Sequence, residues 1–351
     1  MLVTGPSLIY DLDYKDIQQV LDAWGAPGYR ARQVWEGLYV HLYNSASQFT
    51  SLPLEFRHRL EQQFSFSHLK PVQSLDSSDH HTQKILFRLP DGQAIETVRM
   101  GYRHRRTLCI STQAGCAMGC VFCATGQMGF RRHLTSGEIT EQVLYFERVL
   151  RQSEEHVTNV VIMGMGEPFH NYDATMAAID RLNQADGFNF GARRFTVSTV
   201  GLVPVIRRFA ADKRQVNLAV SLHAAEDELR SSMLPVNKRY GVDELLQACR
   251  DYIQQTKRRI TFEWALIRDV NDTPEQARLL ASKLHGMLCH VNVIQLNPTK
   301  KYRGESTTHA RALEFQAELE RQGIPCTIRL RRGIDIQAGC GQLATETTTS
   351  C

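Results

Sequence analysis

From about residue 106 onward the chain alternates between two hydrophobic rhythms, and this alternation constrains its fold more than any other feature. Short runs rich in β-branched residues, TLCIST, VTNVVIMG, FTVSTV, VNLAVSL, ITFEWALI, HVNVIQL and CTIRLR, read as strands. Helical stretches separate them, after Ser136, Tyr172, Pro204 and Thr273 and near Val242 to Gln255 and Ala310 to Arg321. Strands joined by such crossovers pair in parallel. Six units of this kind predict an α/β fold, a closed or partly closed βα barrel over 106–335. In such barrels functional groups stand at the carboxyl ends of the strands, so the residues following each strand are where chemistry is expected.

The rest of the chain reads as additions to that barrel. Ile17, Val20, Leu21 and Trp24 fall at helical spacing before the break Gly25-Ala26-Pro27-Gly28, which predicts a small helical accessory domain over 1–66. KILFRL and AIETVRM flank the turn Pro90-Asp91-Gly92, predicting a β-hairpin extension over 67–105 with Glu96 on its second strand. Residues 336–351 form a tail. At 351 residues, one large domain with small additions fits better than two equal halves. Hydrophobic residues at 42% and charged ones at 22% match ordinary globular usage, and no apolar run approaches the roughly 18 residues of a membrane span. The first residues lack a basic segment followed by an apolar one, so the expectation is a cytoplasmic protein with no membrane partner.

Nine cysteines are many for such a compartment, where thiols serve more often as ligands or catalysts than as disulfides. Cys116, Cys120 and Cys123 form a CxxxCxxC set directly after the first barrel strand. Three thiolates on a 4Fe-4S cluster leave one iron open, and that iron can chelate the amino and carboxylate groups of S-adenosylmethionine (SAM). Electron transfer into the sulfonium then yields a carbon radical. Gly115, Gly119 and Gly126 relieve crowding around such a cluster, and Phe122 would shield it from water. A zinc site or buried free thiols are the alternatives. Zinc commonly wants four ligands and a second pair at a distance, although Cys109 is in principle a fourth. The post-strand rims supply polar groups for SAM: Gly166 and Glu167 in a glycine-rich turn, Ser198, the triplet Ser221-Leu222-His223, and Asn297. Cys249, Cys289 and Cys326 lie in helix or strand patterns and read as core, while Cys351 has no reading.

A net charge of +4 is mild, but basic residues cluster. Arg105 and Arg106, Arg131 and Arg132, and Lys300, Lys301 and Arg303 are the candidate RNA contacts. Any one of these groups alone reads as a solvated loop tip; only their number favours a nucleic acid.

The stretches CISTQAGCAMGCVFCATGQMGF, MGMGEP, GARRFTVSTVGLVP, SLHA, LNP and GIDIQAGCGQL closely resemble the RlmN family of radical SAM RNA adenine methyltransferases and its sister family Cfr. The likeness runs from about Tyr29 to Leu343. It implies methylation of carbon-2 of an adenine in 23S rRNA and in tRNA next to the anticodon; the Cfr alternative is carbon-8. It also implies two SAM molecules per turnover and an electron donor such as flavodoxin or ferredoxin. By this resemblance Cys340 carries a methyl group from the first SAM, Cys109 resolves a protein–RNA adduct through a disulfide, and Glu96 is the general base. From composition alone Cys109 would be a core thiol, Glu96 a surface strand residue and Cys340 a tail thiol, though Gly339 and Gly341 suit a mobile segment. Two other readings remain: a non-catalytic metal-containing RNA-binding protein, and a radical enzyme acting on a small molecule or peptide.

Overall fold

A computed structural model describes residues 6–345, so Cys351 lies outside the described residues. The chain opens with β1 (Ser7–Leu8), α1 (Tyr14–Ala23), α2 (Tyr29–Tyr39) and α3 (Leu54–Gln63), then β2 (Phe64–Ser65), which pairs in parallel with β1. One face of α2 buries Val34, Trp35, Leu38 and Tyr39, and these join the same continuous core as the barrel residues.

Three antiparallel strands follow: β3 (Lys70–Asp76), β4 (Thr82–Arg88) and β5 (Ala94–Tyr102). The expected hairpin is β4 and β5. The extra strand β3 escaped the sequence pattern because it is an exposed edge with Pro71 beside a bulge, and edge strands carry little alternation.

The barrel then unrolls in order. Its elements are β6 (Arg105–Cys109), a small ribbon of β7 (Gln113–Gly115) and β8 (Phe130–His133) enclosing α4 (Ala124–Gln127), α5 (Ser136–Arg151), β9 (Asn159–Ile162) and α6 (Tyr172–Asn183). Next come β10 (Phe195–Thr199), α7 (Val203–Ala211), β11 (Asn217–Ser221), α8 (Asp227–Met233), α9 (Val242–Thr256) and β12 (Ile260–Leu266). It ends with α10 (Pro274–Leu284), β13 (Cys289–Gln295), α11 (His309–Arg321) and β14 (Cys326–Ile328). The ten-stranded sheet runs β14-β13-β12-β11-β10-β9-β6-β5-β4-β3. Within this sheet every pairing from β6 through β9 to β14 is parallel and the spatial order is the chain order, while β7 and β8 pair antiparallel in their own ribbon. Crossovers of one hand moving steadily one way put all helices on one face and leave the other as an interior. Because β14 and β3 are the two ends of the sheet, the barrel is partial, as the alternation predicted.

The carboxyl ends of β10 and β11 are tied by Arg230 of α8, which is fully buried. Its guanidinium donates to the carbonyls of Val200, Ser221 and Leu222 and to Asn237 Oδ1. Burial lowers its pKa to about 10, and the carbonyl dipoles compensate a charge that has no carboxylate partner at hydrogen-bond distance.

Candidate active site

A cavity of about 170 Å³ opens where the parallel strands end. Cys116, Cys120 and Cys123 form one wall, and Gly166, Glu167, Ser198, Ser221, His223 and Asn297 contribute to the others. The predicted SAM residues therefore converge, with one correction. Leu222 does not line the cavity: strand alternation turns its side chain into the core, and its carbonyl serves Arg230 instead.

The cysteine loop is shaped by close backbone approach. Gly115 has φ +72°, and a Cβ there would sit 1.9 Å from the Gly129 carbonyl oxygen, so β7 and β8 could not close over the loop with any other residue. The three thiols are crowded in low dielectric. Burial pushes Cys116 up to about 12, carries Cys120 well above its ordinary value and raises Cys123, and the neighbouring thiols add to the effect. A bound cationic group is what would turn all three into thiolates. Among the described residues no three His, Cys, Asp or Glu side chains are placed to hold a single metal ion. Three thiols on one wall of the cavity are a soft donor set that fits an iron–sulfur cluster with one iron left open. Phe122 lines the cavity and meets the His223 ring in a T-shaped contact at 5.0 Å.

Glu167 is buried, with Oε1 accepting from the Phe169 N–H at 2.9 Å and Oε2 from the Val200 N–H at 2.8 Å. Burial raises its pKa to about 7 against those hydrogen bonds, leaving a carboxyl whose ionisation a ligand cation would favour. His223 stands at φ +59°. Its Nδ1 accepts from the Ala265 N–H at 2.9 Å, so the neutral ring carries its proton on Nε2. Burial, aided by the Arg230 charge, lowers its pKa to about 3 and keeps it neutral.

A second cavity of about 80 Å³ adjoins the first. Cys109 and Cys340 both line it, and Cys340, Cys123, Asn297 and Arg329 line both cavities. The exposed Cys340 is held by its tail backbone: Asn297 Nδ2 donates to its carbonyl at 3.1 Å, Ala124 N–H to the Gly341 carbonyl at 2.7 Å and Thr125 Oγ1 to the Leu343 carbonyl at 2.7 Å. Cys109, far from a simple core thiol, faces Cys340's cavity. Burial pushes it up to about 12, with the Cys340 charge acting in the same direction and Arg329 opposing it. Glu96 lines neither cavity. It is buried on the same sheet face as Cys109, paired with Lys84 at 2.9 Å and accepting from the Ala344 N–H at 2.9 Å.

The radical SAM superfamily model matches residues 110–281. The dual-specificity RNA methyltransferase RlmN 1 of Myxococcus xanthus is 50% identical over 95% of this chain and 93% of that protein. The chain belongs to the RlmN family. A probable dual-specificity RNA methyltransferase RlmN of Chloroflexus aurantiacus is 47% identical over 96% of this chain and 92% of its own length. A crystal structure of a radical SAM methyltransferase from Sphaerobacter thermophilus superposes with a TM-score of 0.95 at 49% identity, over 97% of this chain and all of that one. The protein is thus a SAM-dependent RNA methyltransferase of the radical SAM class, a family that carries a 4Fe-4S cluster.

Several residues of this RlmN-family site had no legible signal. Arg329 is one: its Nη1 lies 3.6 Å from Glu263 Oε2 and the side chain borders both thiol cavities. Gln113 accepts the Glu167 N–H and donates to Nδ1 of both His133 and His170. Among the candidate RNA contacts, Arg106 is paired with Glu155 and Arg132 with Glu138 and Asp91, whereas Arg105, Arg131, Lys301 and Arg303 are exposed. Cys249, Cys289 and Cys326 are buried, as read. No helix among the described residues is long and apolar enough to cross a membrane.

Proposed function

We propose that this enzyme methylates carbon-2 of an adenine in 23S rRNA and in tRNA beside the anticodon, working in the cytoplasm. The observation that carries the reading is that Cys340 borders two cavities, one with the cluster cysteines and Glu167 and one with Cys109. When bound, the cluster and two SAM molecules supply a methyl cation equivalent and a carbon radical, with electrons from a flavodoxin- or ferredoxin-like donor. Glu167 receives the SAM ammonium, and Ser198, Ser221, His223 through Nε2–H and Asn297 hold its remaining polar groups. Cys340, as thiolate, displaces the methyl group from the SAM sulfonium and becomes a thioether. Hydrogen abstraction from that methyl leaves a carbon radical on Cys340, which bonds to the adenine carbon. Glu96 takes the ring proton, and the unpaired electron left on the ring would pass to the oxidised cluster, which restores a closed-shell aromatic adduct. Cys109 then attacks the Cys340 sulfur; the S–S bond forms as the S–C bond to the product breaks, and the electron pair leaves with the product, which is protonated to the methyl group. Arg105, Arg131, Lys301 and Arg303 offer charge to the RNA backbone.

Anaerobic incubation of reconstituted enzyme with SAM, a reductant and unmodified 23S fragments or tRNA, followed by nucleoside mass spectrometry, tests this. The expected product is 2-methyladenosine. Methylation at carbon-8, or no nucleoside change with SAM cleavage intact, would overturn it.

A further inference from the structure

Glu96 and Lys84 form a buried ion pair that neither cavity uses. Register explains how they meet. Val98 stands opposite both Cys109 of β6 and Lys84 of β4, so Lys84, Val98 and Cys109 share one face of the sheet, and Glu96, two residues along β5, shares it too. Lys84 therefore reaches Glu96 diagonally, a span that long side chains cover. Both side chains are almost completely buried, and both also grip the tail. Lys84 Nζ donates to the Gln337 carbonyl at 3.2 Å, and Glu96 Oε2 accepts from the Ala344 N–H at 2.9 Å. Gln337 and Ala344 bracket Cys340. One ion pair thus clamps both ends of the segment that presents the thiol, while Ala124, Thr125 and Asn297 hold its middle.

We infer that Lys84 is a positioning residue: with Glu96 it latches the tail in register, so that the docked tail and a working Glu96 are alternating states. This rests on the proposed role of Glu96 as base. In the docked state Oε1 faces an ammonium and Oε2 a backbone donor, and the group stands outside both cavities. Both carboxylate oxygens are then occupied by donors, so neither is open to a substrate. Swinging the Ala344 end away frees Oε2, and Lys84 keeps the carboxylate aimed from the other side. Methyl loading of Cys340 belongs to the docked state and proton removal to the open one.

Hydrogen exchange on the reconstituted holoenzyme tests this without RNA. Lys84→Met removes the ammonium and Lys84→Arg keeps a cation; iron content confirms that each variant is folded. Residues 337–344 should exchange about tenfold faster or more in Lys84→Met, as expected when hydrogen bonds to charged groups are lost, and Lys84→Arg should recover most of the protection. Wild-type exchange in Lys84→Met, or equal loss in both variants, overturns the latch. If Lys84→Met does not fold, the double variant Lys84→Met with Glu96→Gln replaces the buried pair by neutral groups. Loosening at Gln337 with Ala344 still protected supports the latch, and full protection at both ends overturns it. With RNA, Lys84→Met should lower kcat at unchanged KM, and a matched rise in KM overturns the positioning role. Should the wild-type enzyme leave adenine unmethylated, the proposed function falls, while the exchange result still decides the latch.

Discussion

Individual side chains in this site are set by what surrounds them more than by their type. Cys109 and Cys340 are both thiols, but one is half-buried at a strand end and the other exposed on a tail, and they meet only because β6 and the tail border one cavity. With Cys109→Ala, a covalent protein–RNA species should accumulate to about one per enzyme, visible as a nuclease-sensitive shift on a denaturing gel; clean turnover without it would remove Cys109 from the mechanism. Glu167 illustrates the same point for a carboxylate, since burial raises it while two backbone donors orient it. Glu167→Gln keeps the shape and loses the charge. SAM should bind about tenfold more weakly or worse, the loss of a charge-assisted hydrogen bond, as measured by equilibrium dialysis on the reconstituted protein.

Between elements, a single carboxylate joins the helix that follows the cluster ribbon to the hairpin. Glu138 closes the capping box of α5 with Thr135, accepts from Arg132 of β8 at 2.8 and 2.9 Å, and Arg132 in turn reaches Asp91 in the β4–β5 turn. Burial alone would raise its pKa, but hydrogen bonds from His68 and Arg132 and the Arg132 charge outweigh that and bring it down to about 2. A carboxyl depressed in the folded state stabilises the fold above its unfolded value of 4.5 and loses that contribution as pH falls toward 2. The full effect is on the order of 3 kcal/mol. Glu138→Gln should lower the urea midpoint at pH 7, and the difference from wild type should shrink steadily below pH 4.5; a pH-independent difference would mean the ion pair contributes nothing. The cluster ribbon depends on Gly115 in another way. Gly115→Ala forces a backbone contact that neither β7 nor β8 can relieve, so reconstituted iron per chain should drop several-fold, read by metal analysis.

Across the whole molecule, the tail docks on the residues that follow the last cluster cysteine: Ala124 and Thr125 hold Gly341 and Leu343. On the proposed binding of a cluster by Cys116, Cys120 and Cys123, these contacts link the order of the loop to the placement of Cys340. Chelating the iron should increase proteolytic cleavage within 333–345 before the barrel unfolds, followed by mass spectrometry of the released peptides. Cleavage at equal rates in both forms would uncouple the two.

Much of this architecture is local and could be read directly. Strand and helix periodicities along β6 to β14 depend on neighbours in sequence, and so do the CxxxCxxC spacing and the Pro90-Asp91-Gly92 turn, so the partial barrel and its thiol loop follow from the chain alone. The exposed edge strand β3 did not show, because alternation fades where no face is buried. Nor did Arg230, Arg329 or Lys84, which look like ordinary surface cations in the sequence. Only folding gives each its partners: carbonyls at two strand ends for Arg230, Glu263 beside two thiols for Arg329, and Glu96 with the tail for Lys84. A buried charge has its role set by groups that folding brings to it, some as distant as 30 residues from Arg230 and 253 from Lys84. That information exists only in the tertiary structure, where the cost of desolvating each cation is met by partners the chain brings from a distance.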